Sequence, residues 1–332
     1  MNLFDAKPTG GKDRGGRPFI ADLRVNETVD TYFRVLEVNR KKKKDGGEFL
    51  SLTLMDRSGR MAGKIWDGVE KYSALLQPGQ VVRIRGEVTE YNQRRELRIT
   101  GLRRLSESDG DFVEADCSEI AGFDTAAVFA DMIRFLEQRW REPHLRELLD
   151  RFAAAYGEAF QRHFGAQKIH HAYIGGLLEH TFAVVRLADS VADFYGLDKE
   201  LLLAGALFHD IGKISEFNVS PAPETTVAGG LLGHIVIGQG MFRELIQGIK
   251  DFPERLSVKI QHLILSHHGE KEFGSPEVPR FAESYALHLI DMLDSRLRIF
   301  RELRETTPAG KSFSDFHPTL QTRAFVEKDS PE

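Results

Sequence analysis

The chain has 332 residues, 41% of them hydrophobic and 29% charged, with a formal net charge of −5. That length favours two domains over one, and the composition excludes wholesale disorder. One cysteine, Cys117, excludes an intramolecular disulfide and any Cys-cluster zinc site, and no apolar run approaches the roughly 18 residues that span a bilayer.

Residues 1–17 are polar, rich in Gly and charge, and read as a flexible tail with no signal-peptide stretch, so a cytoplasmic protein with no membrane partner is expected. Residues 18–105 then read as short strands. Leu50, Leu52 and Leu54 alternate with Phe49, Ser51 and Thr53. Val82, Ile84 and Val88 oppose Arg83 and Arg85, and Leu97 and Ile99 oppose Arg98 and Thr100. Strands near Thr31–Val38 and Met61–Trp66 bring the number to five, and Gly68–Leu76 fits a short helix between the third and fourth. Turns fall at Asp45-Gly46-Gly47 and Tyr91-Asn92-Gln93. Five strands with that helix are the layout of an all-β OB-fold barrel, which holds single-stranded nucleic acid in a basic groove with aromatic platforms. The candidate contacts are Lys41, Lys42, Lys43 and Lys44 in the first loop and Arg94 and Arg95 in the last. The outward faces add Phe49, Lys64, Trp66, Arg83, Arg85 and Arg98. Tyr32 and Phe33 resist assignment to a face, because both parities there are apolar.

Residues 106–122 read as an acidic linker. From Thr125 the period lengthens to 3.6, predicting an all-α domain over 123–305, and 306–332 reads as a C-terminal tail. Expected helices include one from Gly175 to Tyr195, stopped by Gly196, and one from Asp198 to His209, capped by Asp198. Charge divides at the same place. Residues 1–105 carry 22 Lys and Arg against 14 Asp and Glu, and the remainder carries 23 against 36. A basic part suits a polyanion and an acidic part suits cations.

On the helices fall His180, His209-Asp210, His234, His267-His268 and Asp291. Imidazole and carboxylate donors suit Mn²⁺, Mg²⁺, Fe²⁺ or Zn²⁺, and one aspartate can bridge two ions about 3.5–4 Å apart. A lone histidine in an apolar stretch is usually structural, the reading kept for His144, His163, His262, His288 and His317. The ordered set is a metal site instead. Lys213, just after the His-Asp pair, can grip a phosphate as a point charge. Asp294, one helical turn beyond Asp291, can orient a ligand from behind.

This order resembles the HD phosphohydrolase superfamily. The matching stretches are Leu177-Leu178-Glu179-His180-Thr181, Ala206-Leu207-Phe208-His209-Asp210-Ile211-Gly212-Lys213 and Ile290-Asp291-Met292-Leu293-Asp294. The resemblance implies that His180, His209, Asp210 and Asp291 bind one metal. A second ion would be held by His234 with His267, His268 or both, and Asp210 would bridge the two. The OB-fold before the helical domain, and Lys168-Ile169-His170-His171-Ala172-Tyr173 leading into it, are similar to the YhaM-type 3′→5′ exoribonucleases over roughly residues 18–305. That resemblance implies hydrolysis of single-stranded RNA, and sometimes DNA, from the 3′ end, with Mn²⁺ the leading ion. His171, with His170 beside it, is then the candidate for touching substrate or protonating the leaving oxygen.

The expected function is therefore a metal-dependent 3′→5′ exonuclease with Asp210, Lys213 and His171 at its centre. One alternative is an HD phosphohydrolase acting on free nucleotides or cyclic dinucleotides, with the barrel as a regulatory module. Another is a non-catalytic single-strand-binding protein. A homo-oligomer is compatible with the sequence.

Overall fold

A computed structural model describes residues 17–43, 46–91, 94–105, 109, 112–117, 123–165, 173–218, 224–307 and 310–326. These fall into two compact units, 17–117 with 307 and 310–312, and 123–306 with 313–326.

The first unit is a closed five-stranded barrel. β1 (Thr28–Lys42), β2 (Glu48–Asp56) and β3 (Gly59–Ile65) are followed by the short α1 (Val69–Ser73), then β4 (Val81–Tyr91) and β5 (Arg94–Arg104). The strand order is β1-β2-β3-β5-β4. β3 and β5 run parallel, with Lys64 opposite Arg98, and β1 closes onto β4 with Thr31 opposite Ile84. The alternation predicted for these strands holds. Leu50, Leu52, Leu54, Val82, Ile84, Val88, Leu97 and Ile99 are all buried in the barrel interior.

Tyr32 and Phe33 are both buried, for different reasons. Phe33 points into the barrel core, whereas the ring of Phe112 packs edge-on against Tyr32 at 5.5 Å and Arg17 lies over its face. The described part of the expected 106–122 linker is thus part of the barrel's packing. Its Glu114–Cys117 turn accepts hydrogen bonds at the Asp116 carbonyl from Arg57 N (2.9 Å) and at the Cys117 carbonyl from Arg34 Nε (3.1 Å). Arg34 is only 4% exposed, so its buried charge requires such carbonyl partners.

The second unit is helical. It comprises α2 (Thr125–Glu137), α3 (Pro143–Arg162), α4 (Gly176–Tyr195), α5 (Lys199–Phe208), α6 (Lys213–Glu216), α7 (Val227–Gln247), α8 (Glu254–Ser266) and α9 (Ala282–Thr306). Gly196 ends α4 at φ 64°, a left-handed turn that suits glycine, and the Asp198 carboxylate caps α5 by accepting from Leu201 N at 3.1 Å. This short connection folds α5 back along α4. The start of α4 and the end of α5 therefore meet at one end of the bundle. α5 is apolar all round and buried from Leu201 to Phe208, packed by α4, α8 and α9.

The stretch expected as a C-terminal tail differs from that expectation. α9 runs to Thr306, and β6 (Phe313–His317) pairs antiparallel with β7 (Thr322–Phe325). Ser314 and Ala324 are buried between them, joined by Ala324 N donating to Ser314 Oγ at 3.0 Å, and Gln321 turns the hairpin at φ 53°. Strands of five and four residues are too short to outweigh the tail-like composition in a sequence reading. No helix among the described residues is long and apolar enough to cross a membrane.

Candidate metal centre and nucleic-acid face

His180 lies in the second turn of α4, and His209 and Asp210 follow directly on α5. Because those two helix ends meet, His180 Nε2 sits 3.1 Å from His209 Nε2. It is also 3.1 Å from Asp291 Oδ1 on α9 and 3.6 Å from Asp210 Oδ2. His209 Nε2 is 3.3 Å from that same Asp210 oxygen. The other Asp210 oxygen, Oδ1, faces a second group, with His234 Nε2 at 3.4 Å and His267 Nε2 at 3.7 Å.

Two glycines make the second group reachable. A Cβ on Gly212 would lie 1.9 Å from the His234 carbonyl oxygen, so only glycine lets α7 approach the His-Asp turn this closely. Gly233 breaks α7 at φ 70°, directly before His234. His267 and His268 continue from α8. His234, His267 and His268 form one group of donors within 4.8 Å of one another, and His180, His209 and Asp291 form another. Asp210 stands between the two groups with one oxygen toward each.

The imidazoles are preset as ligands. The Ala206 carbonyl accepts from His209 Nδ1 at 2.9 Å, and the Ile264 carbonyl accepts from His267 Nδ1 at 2.8 Å. A carbonyl only accepts, so Nδ1 carries the proton and Nε2 presents a lone pair. Asp294 does the same for His180 Nδ1 at 2.8 Å, and Glu216 for His234 Nδ1 at 3.2 Å. The His234 and His267 Nε2 atoms are buried without a hydrogen-bond partner. Buried lone pairs aimed at a carboxylate oxygen need a cation between them. The donor set therefore fits divalent metal, and the described residues form two groups that could each hold an ion.

Electrostatics agree. Burial opposes charge on Asp210, but Lys213, 2.5 Å from Oδ2, and the surrounding imidazoles hold the carboxyl well below its usual range. Burial and the neighbouring imidazoles push His267 and His268 down, which keeps them neutral. Burial also works against a charge on His180, yet Asp291 and Asp294 outweigh it and raise its pKa to about 10.

Two expected results follow from these contacts. Asp294→Ala removes the carboxylate behind His180 and is expected to weaken Mn²⁺ binding by about 10–100-fold in a calorimetric titration of the chelator-treated protein. The same titration repeated across pH is expected to give an affinity that rises with pH. His180 must lose its proton to ligate, and Asp291 and Asp294 hold that proton on, so acidification is expected to weaken binding by up to about tenfold per pH unit. A pH-independent affinity would contradict this.

The histidines kept as structural make local contacts: His163 Nε2 lies 3.2 Å from the Phe217 carbonyl, and His288 Nδ1 donates to the His267 carbonyl at 2.9 Å. His170, His171 and Lys44 lie outside the described residues. Sequence reasoning missed Glu216, whose distance of 18 residues from His234 carries no periodic signal.

On the barrel, Phe49 and Trp66 stack at 4.5 Å with planes 22° apart, and both are half-buried. Lys43 Nζ donates to the Trp66 carbonyl at 2.8 Å. Lys64 lies 4.5 Å from the ring of Tyr91, which ends β4 instead of lying in the expected turn, and pairs with Glu96 at 2.6 Å. Lys41, Lys42, Arg94 and Arg98 are exposed, and the Arg95 guanidinium donates to the Leu23 carbonyl. Arg83 and Arg85, expected in the same groove, are instead tied on β4 to Asp30 of β1, at 2.7 Å each. In the closed order β1-β2-β3-β5-β4, β4 lies across the barrel from the β2–β3 pair that carries the stack.

Comparison with known proteins gives two family matches, an HD domain over residues 177–296 and an OB-fold nucleic acid binding domain over residues 35–105. The chain is 31% identical over 304 residues to the 3′-5′ exoribonuclease YhaM of Bacillus licheniformis, covering 91% of this chain and 96% of that protein. The protein of the same name from Listeria innocua is 31% identical over 317 residues, covering 92% and 97%. That from Bacillus subtilis is 30% identical over 304 residues, covering 91% and 96%.

Proposed function

The chain belongs to the YhaM family of 3′-5′ exoribonucleases, and from that premise we propose how its residues divide the work. It is a metal-dependent hydrolase of single-stranded RNA. His180, His209, Asp210 and Asp291 would hold one ion, and His234, His267 and His268 would hold a second beside Asp210, Mn²⁺ being the expected metal. The observation that carries this is one buried carboxylate, Asp210, with one oxygen toward each imidazole group. When bound, divalent ions activate a water and neutralise charge growing on the phosphoryl oxygens.

The chain's own groups do the rest. Asp210 fixes the spacing of the two groups, and the carbonyls of Ala206 and Ile264 hold His209 and His267 in the ligating tautomer. Lys213 uses one N–H on Asp210 and turns the others to a phosphate oxygen at the 3′ end. Phe49 and Trp66 stack bases of the upstream strand while Lys41, Lys42 and Lys43 meet its phosphates. The expected compartment is the cytoplasm.

The test is incubation with Mn²⁺ and 5′-labelled single-stranded RNA. The label is expected in a ladder shortening stepwise from the 3′ end, with mononucleotides released and the reaction halted by chelator. Intact RNA beside hydrolysis of free nucleotides or cyclic dinucleotides would replace this reading with a small-molecule phosphohydrolase.

A further inference from the structure

Along β1, β4 and β5, strands other than the one that carries Phe49, lies a cleft of about 600 Å³, lined by Asp30, Arg83, Arg85 and Arg103 with Lys71 and Tyr72 of α1. Its arginines are fixed in place. Asp30 takes Arg83 Nε at 2.7 Å and Arg85 Nη2 at 2.7 Å. Asp109 takes Arg83 Nη1 at 3.0 Å and Arg103 Nη2 at 2.6 Å. Asp109 is almost wholly covered, so it serves as a buttress, whereas the side chains of Arg85 and Arg103 stay 69% and 49% exposed.

Asp30 and Asp109 take only some of the five N–H donors on each of Arg85 and Arg103, the two guanidiniums that stay exposed at the cleft. Lys71 adds a charge with no carboxylate partner among the described residues, its ammonium over the Tyr72 ring at 5.1 Å. Among the described residues that line or buttress the cleft, four cations stand against two anions, a surplus of positive charge on fixed forks that suits phosphate oxygens. Tyr72, half-buried beside them, offers a ring to a base.

We infer that this cleft is a second RNA-binding surface, which takes the phosphate backbone of a single strand already held at the Phe49–Trp66 face. The inference rests on the reading of the chain as a processor of single-stranded RNA. A strand long enough to wrap the barrel engages both surfaces, and a short one engages only the aromatic face.

The test uses full-length protein with chelator present, so that binding is read without degradation. Fluorescence anisotropy is measured for labelled single strands of about 6 and about 30 nucleotides, the first within one barrel's footprint and the second beyond it. Lys71→Ala with Arg85→Ala removes two exposed cations and leaves Asp30 paired with Arg83. The double variant is expected to bind the long strand about tenfold more weakly, with a log–log salt slope reduced by about 1.4, and to bind the short strand normally. Unchanged binding of the long strand overturns the inference, as does equal weakening of both lengths. Displacement of the long strand by a free nucleoside monophosphate in wild type but not in the variant also overturns it, in favour of a small-molecule pocket. Wild-type protein that binds long RNA yet never shortens it with Mn²⁺ would sink the exonuclease reading and leave this surface standing.

Discussion

Asp210→Asn is expected to lower kcat on single-stranded RNA by at least about 10³-fold, the scale seen when one member of an interdependent catalytic unit is lost. Asn keeps the shape and one carbonyl oxygen, but its amide N–H donors bond to imidazole lone pairs that a cation needs and offer that cation no lone pair of their own. His209 Nε2 lies 3.3 Å from Oδ2 and His234 Nε2 3.4 Å from Oδ1, so whichever way the amide turns, one of the two groups meets a donor. The change also removes the negative charge that opposes Lys213 at 2.5 Å. About 4 kcal/mol of transition-state stabilisation is at stake for a thousandfold loss. Because the barrel is a separate unit, RNA affinity measured by anisotropy in chelator is expected to stay within about threefold of wild type. Activity within tenfold of wild type would show that the shared carboxylate is not central. Loss of RNA binding together with activity would point to misfolding, which a thermal melt of the same sample distinguishes.

Much of this centre was legible before any coordinates, because metal ligation demands particular side chains. The His-Asp pair, the isolated His180 and His234, the His267-His268 pair and Asp291 all stood out by residue type. The carboxylate behind His180 was legible from its one-turn offset from Asp291, and Asp294 indeed accepts from His180 Nδ1 at 2.8 Å. Glu216 was not legible, since its contact to His234 depends on the break at Gly233 and on α7 closing over Gly212. Those are tertiary events with no local period.

The barrel shows the same division. Strand alternation predicted which residues face inward, since one parity must be buried for the barrel to close. It could not tell how outward residues share out around the circumference. That distribution follows from the closed strand order, which separates Arg83 and Arg85 from Phe49 and Trp66. Tyr32 was ambiguous for a related reason. Its outward ring is covered by Phe112, which lies 80 positions on in a stretch with no regular pattern.

Removing the aromatic pair is expected to give the second large effect, and its signature differs from that of Asp210. Each base stacked on an aromatic contributes about 1–3 kcal/mol. Phe49 and Trp66 already cover one face of each other at 4.5 Å, so a base can use only their outer faces. Trp66→Ala alone uncovers the inner face of Phe49, which partly restores a platform. The two single losses are therefore expected to be unequal to the joint loss, and a double-mutant cycle should give a coupling of about 0.5–1.5 kcal/mol. Phe49→Ala with Trp66→Ala is expected to raise KM for long single-stranded RNA by about 30-fold or more, with kcat nearly unchanged, because stacking that is equal in ground and transition states acts on binding alone. A dinucleotide substrate, too short to use the stack, should be cleaved as by wild type. Steady-state kinetics on the two substrates decide the matter. A fall in kcat on the dinucleotide would mean that these rings contribute to the chemistry, and an unchanged KM on long RNA would remove the β2–β3 face from the substrate's path.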